Sequence, residues 1–325
     1  MPISPVRFVT TLFRAFGACA LAAAAVAAAA AEPFPSKPIR IVIPAAAGGS
    51  LDITARLVAQ KMGEKLGQSV IVDNRPGGET LLGTRLVKDA PPDGYTLIGQ
   101  ASGFTLFPFM RSDTGYDALK DFAPVGIMLR APRVVVVSTE KPYRNLPDFI
   151  AAAKGGQLTY GSGGVGTPSH IAMESFAQAL GLRLTNIPFR GTGAALPEVA
   201  AGRVDVMFDA ISSSRSYIEG GKLRPLAVSS DKRVPLLPDV PTITEQGVPY
   251  TNVFWLGLLA PAGTPRDVVQ KLADAMKAAS DSPDLRARFQ ADGSDPTHVG
   301  PQEFGAFLRK EAGEMSTLST ILPKQ

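Results

Sequence analysis

Twice in this chain a short apolar run gives way to a glycine-rich turn and then to a helical pattern. Ile39 to Pro44 (IRIVIP) leads into Ala45-Ala46-Ala47-Gly48-Gly49-Ser50, after which Leu51, Ala55, Val58, Met62 and Leu66 recur every three or four residues. An apolar run of that length fits a strand buried on both faces, and the spacing fits a helix buried on one. Gly67 then suits the helix stop. Leu158 to Gly161 repeats the order, through Gly161-Ser162-Gly163-Gly164-Val165-Gly166-Thr167-Pro168-Ser169-His170, into a helix from about Pro168 to Leu180. Strands at 70–72 and 95–98 with a helix over 80–89 complete a first β-α-β-α-β unit. A second unit carries strands at 134–138, 158–161, 184–188, 204–208 and 226–229, with helices over 146–153, 168–180 and 194–201. A strand at 254–260 and helices over 265–280 and 302–319 follow. Such alternation calls for open, largely parallel sheets flanked by helices. The expected fold class is therefore α/β, with two domains forming a clamp around an interdomain ligand cleft. The boundaries expected are 32–131 for the first part of domain 1, 132–252 for domain 2 and 253–325 for a return to domain 1. The crossings fall near 130–133 and 250–253.

Composition excludes many chemistries. The single cysteine, Cys19, rules out a disulfide framework, a cysteine zinc site and a CxxC redox pair. Two histidines, His170 and His298, leave no multi-histidine metal cluster and few general bases near neutral pH. No metal and no cofactor is expected. The net charge is +4, and Arg7 and Arg14 supply two of those charges in a stretch without Asp or Glu. With no basic run elsewhere, nucleic acid is not an expected partner. Those two arginines, the apolar 15–31 segment and the run of small residues at its end read as a cleavable export signal over 1–31. The cut is expected near Ala31/Glu32, and the product is expected in the periplasm. A membrane anchor is the competing reading, but the run is only 17 residues and alanine-rich.

The ends of the parallel strands carry the functional signal, because ligands of open α/β sheets sit beyond them. The first turn offers glycines and free N–H groups at a helix start, a setting for an anion, while Ser50 and Asp52 serve equally as helix caps. Gly161, Gly163 and Gly166 match G-x-G-x-x-G. The acid that a dinucleotide site needs is missing from Leu184-Thr185-Asn186-Ile187-Pro188, so a carboxylate held by backbone N–H groups, Thr167 and Ser169 is the expectation. Asp209, after the strand at 204–208, is open between a ligand's hydroxyl or amine and a helix cap, and Ser102 follows the strand at 95–98. His170 reads more readily as a pocket or core histidine than as a base. Arg133 and Arg190 could pair with a carboxylate, but a lone arginine is more often a surface residue. No G-x-S-x-G elbow, H-E-x-x-H or P-loop occurs, so no enzyme activity is expected.

The chain resembles the substrate-binding proteins of tripartite tricarboxylate transporters, the Bug family. The segments that carry the resemblance are PSKPIRIVIPAAAGGSLDITARLVAQKMGEKLGQSVIVDNRPGG, APPDGYTLIG, LTYGSGGVGTPSHIAMESF, IPFRGTGAALPEVAAGRVDVMFD, GKLRPLAVSSDKRVPLLPDVPTITEQG and APAGTP, across essentially all of the mature chain. The resemblance implies a periplasmic-binding-protein-like clamp that takes a small organic carboxylate and hands it to the membrane subunits of a secondary transporter, acting as a monomer without chemistry. The rival readings are an orphan receptor feeding a sensor protein and an exported enzyme using His170 and Asp209. In the family the carboxylate is gripped, partly through water, between the two glycine turns. Position by position this implies Ala46, Gly48, Gly49 and Asp52, then Gly163, Gly164, Thr167, Ser169 and His170, with Asp209. Ala45 and Ser162, at the same turns, and Ser102, after the strand at 95–98, join the candidate set. Two departures stand out. Ala45 replaces an aromatic, and Glu79 and Thr80 replace two glycines of the family's N-R-P-G-A-G-G-x-x-G. The expectation is a reshaped pocket, with more room at Ala45 and new polar groups at Glu79 and Thr80.

Overall fold

The computed structural model describes residues 33–319, except Glu79 and Thr297. The export segment, Cys19 and the expected cut at Ala31/Glu32 lie outside the described residues, as does Glu79. The chain divides into two compact units, Met1–Ser36 and Lys37–Gln325.

Nine strands and ten helices make up the second unit among its described residues. The strands are β1 (Ile39–Ile43), β2 (Val70–Asn74), β3 (Thr96–Ala101), β4 (Phe122–Ser138), β5 (Leu158–Ser162), β6 (Leu184–Pro188), β7 (Val206–Ala210), β8 (Leu223–Val228) and β9 (Val253–Pro261). The helices are α1 (Ser50–Leu66), α2 (Leu81–Lys88), α3 (Phe107–Met110), α4 (Leu146–Gly155), α5 (Pro168–Leu180), α6 (Thr192–Ala200), α7 (Ile211–Glu219), α8 (Arg266–Asp281), α9 (Pro283–Ala291) and α10 (Pro301–Leu318). The sheet runs β2-β1-β3-β9-β4-β7-β5-β6, with β8 paired to β4. Each half holds a parallel triplet, β2-β1-β3 and β6-β5-β7, to which β9 and the long β4 add antiparallel pairings.

The apolar runs go where continuous hydrophobicity sends them. Ile39, Ile41, Val42 and Ile43 of β1 are all fully buried, as a strand covered on both faces requires. The α1 helix stops at Gly67, whose φ of 67° lets its N–H donate to the Gly63 carbonyl. One core gathers Ile98, Phe104, Phe122, Trp255, Phe304 and Leu308. In the other half, Phe149, Tyr160, Phe176 and Phe208 fill one face of the sheet, and Leu196, Val199, Met207 and Ile211 fill the other.

Strand β4 joins the halves. It pairs with β9 from Phe122 to Pro132 and with β7 and β8 from Arg133 onward. Pro132 has no N–H, so it suits the point where one ladder ends and the next begins. Ser229 fastens that point: its hydroxyl accepts the Arg133 N–H at 2.8 Å and donates to the Asn252 carbonyl at 2.5 Å.

Three helices were given no range in the sequence reading: α3, α7 after Asp209, where the turn left a helix cap open, and α9. The serines of α7 are poor helix formers, and tertiary contact outweighs that preference. The buried Asp209 carboxylate receives the Ser213 and Ser214 hydroxyls at 2.5 and 2.8 Å.

Candidate functional site

Three helix starts open on one cleft between the halves. Ser50 is the first residue of α1, Pro168 and Ser169 begin α5, and Thr192 begins α6; all four line the cleft. Each start presents backbone N–H groups and the positive end of a helix dipole, a setting that favours an anion. The rest of the lining is largely apolar, from Pro44, Leu51, Phe104, Phe107, Phe254 and Leu256.

The glycine turns of the two halves touch. The Ala46 N–H donates to the Arg190 carbonyl at 2.8 Å. A methyl group added at Gly193 would stand 2.3 Å from the Ala47 carbonyl oxygen, and one added at Gly103 would stand 2.0 Å from that of Gly166. Only glycine permits approaches this close.

Of the residues singled out from the sequence, Ala45, Ala46, Gly49, Asp52, Ser102, Gly163, Thr167 and Ser169 line the cleft. Gly48, Ser162, Gly164, His170 and Asp209 are not brought into that lining, and their contacts explain why. Gly48 donates its N–H to Asp52 at 3.0 Å, and Asp52 in turn pairs with Arg56 at 2.9 Å. The Ser162 hydroxyl bonds Asn186, and its oxygen takes the Gly164 N–H. His170 is 4% exposed, and its Nδ1 accepts the Gly166 N–H at 3.1 Å. Asp209 is fully buried on the serines of α7, and burial holds its carboxyl above the usual carboxylate range.

The turns therefore satisfy many of their own donors. The Gly163 N–H goes to the Ser169 oxygen at 2.9 Å, and the Thr167 hydroxyl goes to the Gly164 carbonyl at 2.6 Å. The Ser50 and Thr192 hydroxyls, one from each half, have no hydrogen-bond partner among the described residues. Ser169 Oγ lies 3.2 Å from Thr167 Oγ1, whose own proton goes to Gly164, so Ser169 donates to Thr167, and Ser50 and Thr192 are hydroxyl donors that the cleft can offer.

Thr192, Gln100 and Phe254 are lining residues that the sequence did not single out, and Arg133, named there beside Arg190 as a possible carboxylate partner, was set aside as more often a surface residue. Arg190 is exposed, whereas Arg133 is 2% exposed and lines the cleft. Its guanidinium lies 4.1 Å from the Phe254 ring centre, and burial pulls its pKa down to about 10, so it stays charged at neutral pH. The signal was present: an arginine abutting VVVV breaks an otherwise apolar strand, and a buried charge is the informative kind of burial. Thr80 also lines the cleft, with φ of 80°. A β-branched residue there carries strain of about 1–3 kcal/mol, at a position where the resemblance implies glycine. Among the described residues, no group of three or more His, Cys, Asp or Glu could hold a metal, and no helix is long and apolar enough to cross a membrane.

His170 makes a pH prediction. Burial lowers its pKa below the ordinary 6.5, and the same holds for His298. The unfolded chain then binds more protons than the folded one just below that value, so this stabilisation is present at pH 7 and is lost as pH falls through about 6.5 toward the folded pKa. The loss is at most about 1.4 kcal/mol per pH unit per histidine. His170→Gln, which keeps an acceptor for Gly166, is expected to flatten the fall in urea midpoint between pH 7.5 and 5.5. Equal slopes in wild type and variant would remove His170 from the account. Asp209 and Glu311, raised by burial, push stability the other way as pH falls, so the readout is the difference between the two proteins.

Known proteins match this chain over most of its length. A family profile described as "Tripartite tricarboxylate transporter family receptor" matches residues 54–320. A UPF0065 protein in the tcbD-tcbE intergenic region of Pseudomonas sp. (strain P51) is 38% identical over 284 residues, covering 86% of this chain and 84% of that protein. The periplasmic binding protein BugD superposes with a TM-score of 0.83 at 31% identity, covering 88% of this chain and 97% of BugD. Rpa4515 of R. palustris with adipate superposes with a TM-score of 0.84 at 32% identity, with coverage of 88% and 97%. The fold is thus the α/β clamp of periplasmic binding proteins.

Proposed function

The chain belongs to the tripartite tricarboxylate transporter receptor family, and from that premise we propose that it is an exported receptor. It captures a small organic carboxylate between its halves and delivers it to the membrane subunits of a secondary transporter. The observation that carries this reading is the convergence of three helix starts, with the Ser50 and Thr192 hydroxyls, on one largely apolar cleft. Helix starts and neutral donors stabilise an anion, and in a cleft closed to water such bonds strengthen. The adipate-bound Rpa4515 supports the choice of a carboxylate.

In this reading the contact between the glycine turns is the closed state. The domains run 32–131 with 253–325, and 132–252. The hinges are the partner switch at Pro132/Arg133 and the return near Asn252, both held by Ser229. An anion bound first to one half gains the other half's donors on closing, so its differential affinity favours the closed form. The membrane subunits then meet a shape that exists only when cargo is present. The receptor performs no chemistry: His170 Nδ1 is committed to Gly166 and Asp209 to α7.

A thermal-shift screen of the mature protein against mono-, di- and tricarboxylates, with NAD as control, tests the reading. A ligand at about a thousand times its dissociation constant adds roughly 4 kcal/mol, a rise of several degrees. A flat carboxylate series beside a clear NAD shift would overturn it. If every compound is flat, mass spectrometry of the denatured protein decides, since release of a non-acidic native ligand is also incompatible with the proposal.

A further inference from the structure

We propose that Arg133 is the specificity-determining residue of the cleft, receiving a second carboxylate of the ligand. The chain would thereby prefer linear dicarboxylates over monocarboxylates of equal length. The inference rests on the carboxylate-receptor reading and adds what that reading leaves open, the second charge of the cargo.

The setting of Arg133 is that of a cation waiting for an anion. The residue is 2% exposed and lines the cleft at the junction of the halves. The Nε–H, buried, has no acceptor among the described residues, and Nη1 has only a long bond of 3.4 Å to the Phe208 carbonyl. The Phe254 ring, 4.1 Å from the guanidinium carbon, takes one face by a cation–π contact. An aromatic on the face leaves the planar edge for a carboxylate, which an arginine grips with two parallel bonds. The acid that acts on Arg133 from nearby, Asp209, has its Oδ2 turned to Ser213 and Ser214, and its Oδ1 is buried with no hydrogen-bond partner, so it offers the guanidinium charge but no bond. No carboxylate forms an ion pair with the guanidinium among the described residues. A buried charge without a partner is costly, and an anion that pairs with it removes that cost.

Chemistry along the cleft fits a ligand with two acidic ends. The hydroxyls of Ser50 and Thr192 belong to the helix starts, Arg133 belongs to β4, and the remaining wall is apolar, from Leu51, Phe107, Phe254 and Leu256. A chain of methylenes satisfies that wall, and a neutral end at Arg133 leaves the buried cation unpaired.

The test compares linear dicarboxylates from succinate to suberate with the monocarboxylates of equal length, butanoate to octanoate, by calorimetry on the full mature protein. In wild type the best dicarboxylate is expected to bind at least about fiftyfold more tightly than its monocarboxylate partner, a preference of roughly 2.3 kcal/mol. Arg133→Met is expected to erase that preference by weakening the dicarboxylate while leaving the monocarboxylate within about threefold. The ligand-free Arg133→Met protein should melt at or above the wild-type temperature, because an unpaired buried charge has been removed; a residue with only a structural role would lower it. Arg133→Lys, which keeps the charge and loses the fork, should fall between the two. If wild type binds both series equally, or if Arg133→Met keeps the dicarboxylate preference, the inference is wrong and the receptor reading stands. If wild type binds neither series and the wider carboxylate screen is flat beside an NAD shift, both fail together.

Discussion

Gly193→Ala is expected to weaken carboxylate binding by about a hundredfold, roughly 2.7 kcal/mol, while leaving the ligand-free protein at least as stable as wild type. The added methyl would stand 2.3 Å from the Ala47 carbonyl oxygen, 2.9 Å from the Gly49 nitrogen and 3.0 Å from the Gly48 carbonyl carbon. All three are backbone atoms of the opposite turn, so no side chain can swing aside. The turns must stay further apart, and a ligand on one half then cannot reach the donors of the other. The residue's own backbone accepts the substitution. Gly193 lies in the first turn of α6 with no positive φ, and alanine in a helix gains up to about 1 kcal/mol over glycine.

This pairing of effects makes the result diagnostic. In calorimetry the dissociation constant should rise and the ligand-induced gain in melting temperature should nearly vanish. Gly155→Ala serves as control: it too lies in a helix, and an added methyl there meets nothing within 4 Å, so binding should be untouched. Affinity within threefold of wild type in Gly193→Ala would mean that the turns need not touch for binding. A melting temperature lowered by many degrees without ligand would mean that the contact is a permanent part of the fold.

Legibility followed burial. Strands β1, β5 and β6 and helices α1 and α5 were readable because each is apolar on the face or faces it buries and ends at glycine or proline, and β7 was readable from its apolar run alone. Strand β4 was readable only from Val134 onward. Its first twelve residues carry Pro124, Gly126, Arg130, Pro132 and Arg133, which interrupt any run, and pairing with β9 rather than local propensity makes them a strand. Helix α7 was hidden for the opposite reason, since its serines favour turns until Asp209 gathers two of them.

The site divides along a related line. Glycine turns at strand ends announce themselves, and the structure brings eight of the thirteen candidates to the cleft. What local pattern does not encode is which donors the turns keep for themselves. The commitments of Gly48 to Asp52 and of Gly166 to His170 depend on side chains four residues ahead folding back. Arg133 becomes a cleft residue only through β4 crossing between the halves and through Phe254 on β9, more than a hundred residues away. Thr80 was legible as a departure from glycine, and its φ of 80° shows that the turn keeps the glycine conformation without the glycine.

The second large effect concerns the return of the chain to the first half. Glu311→Ala is expected to destabilise the protein by about 3 kcal/mol. The buried Glu311 carboxylate on α10 accepts the Trp255 indole N–H at 2.5 Å and the Thr105 hydroxyl at 2.7 Å. It thereby ties the last helix to β9 and to the loop that carries Ser102 and Gly103. Removing it orphans two buried donors, each costing about 1–3 kcal/mol, and lowers the melting temperature by several degrees. Burial holds the Glu311 carboxyl above its ordinary 4.5. The folded state therefore binds the proton more tightly than the unfolded one, and stability from this group is full below 4.5 and lost as pH rises through the folded pKa. Glu311→Gln keeps an acceptor and never ionises, so it should stay within about 1 kcal/mol of wild type at pH 7. Urea unfolding of the three proteins at pH 7 separates the contributions. Equal losses in Ala and Gln would assign the role to the negative charge, and no loss in Ala would mean that α10 is anchored without Glu311. Because Thr105 belongs to the loop facing the Gly166 turn, Glu311→Ala should also weaken ligand binding, whereas Glu311→Gln should not.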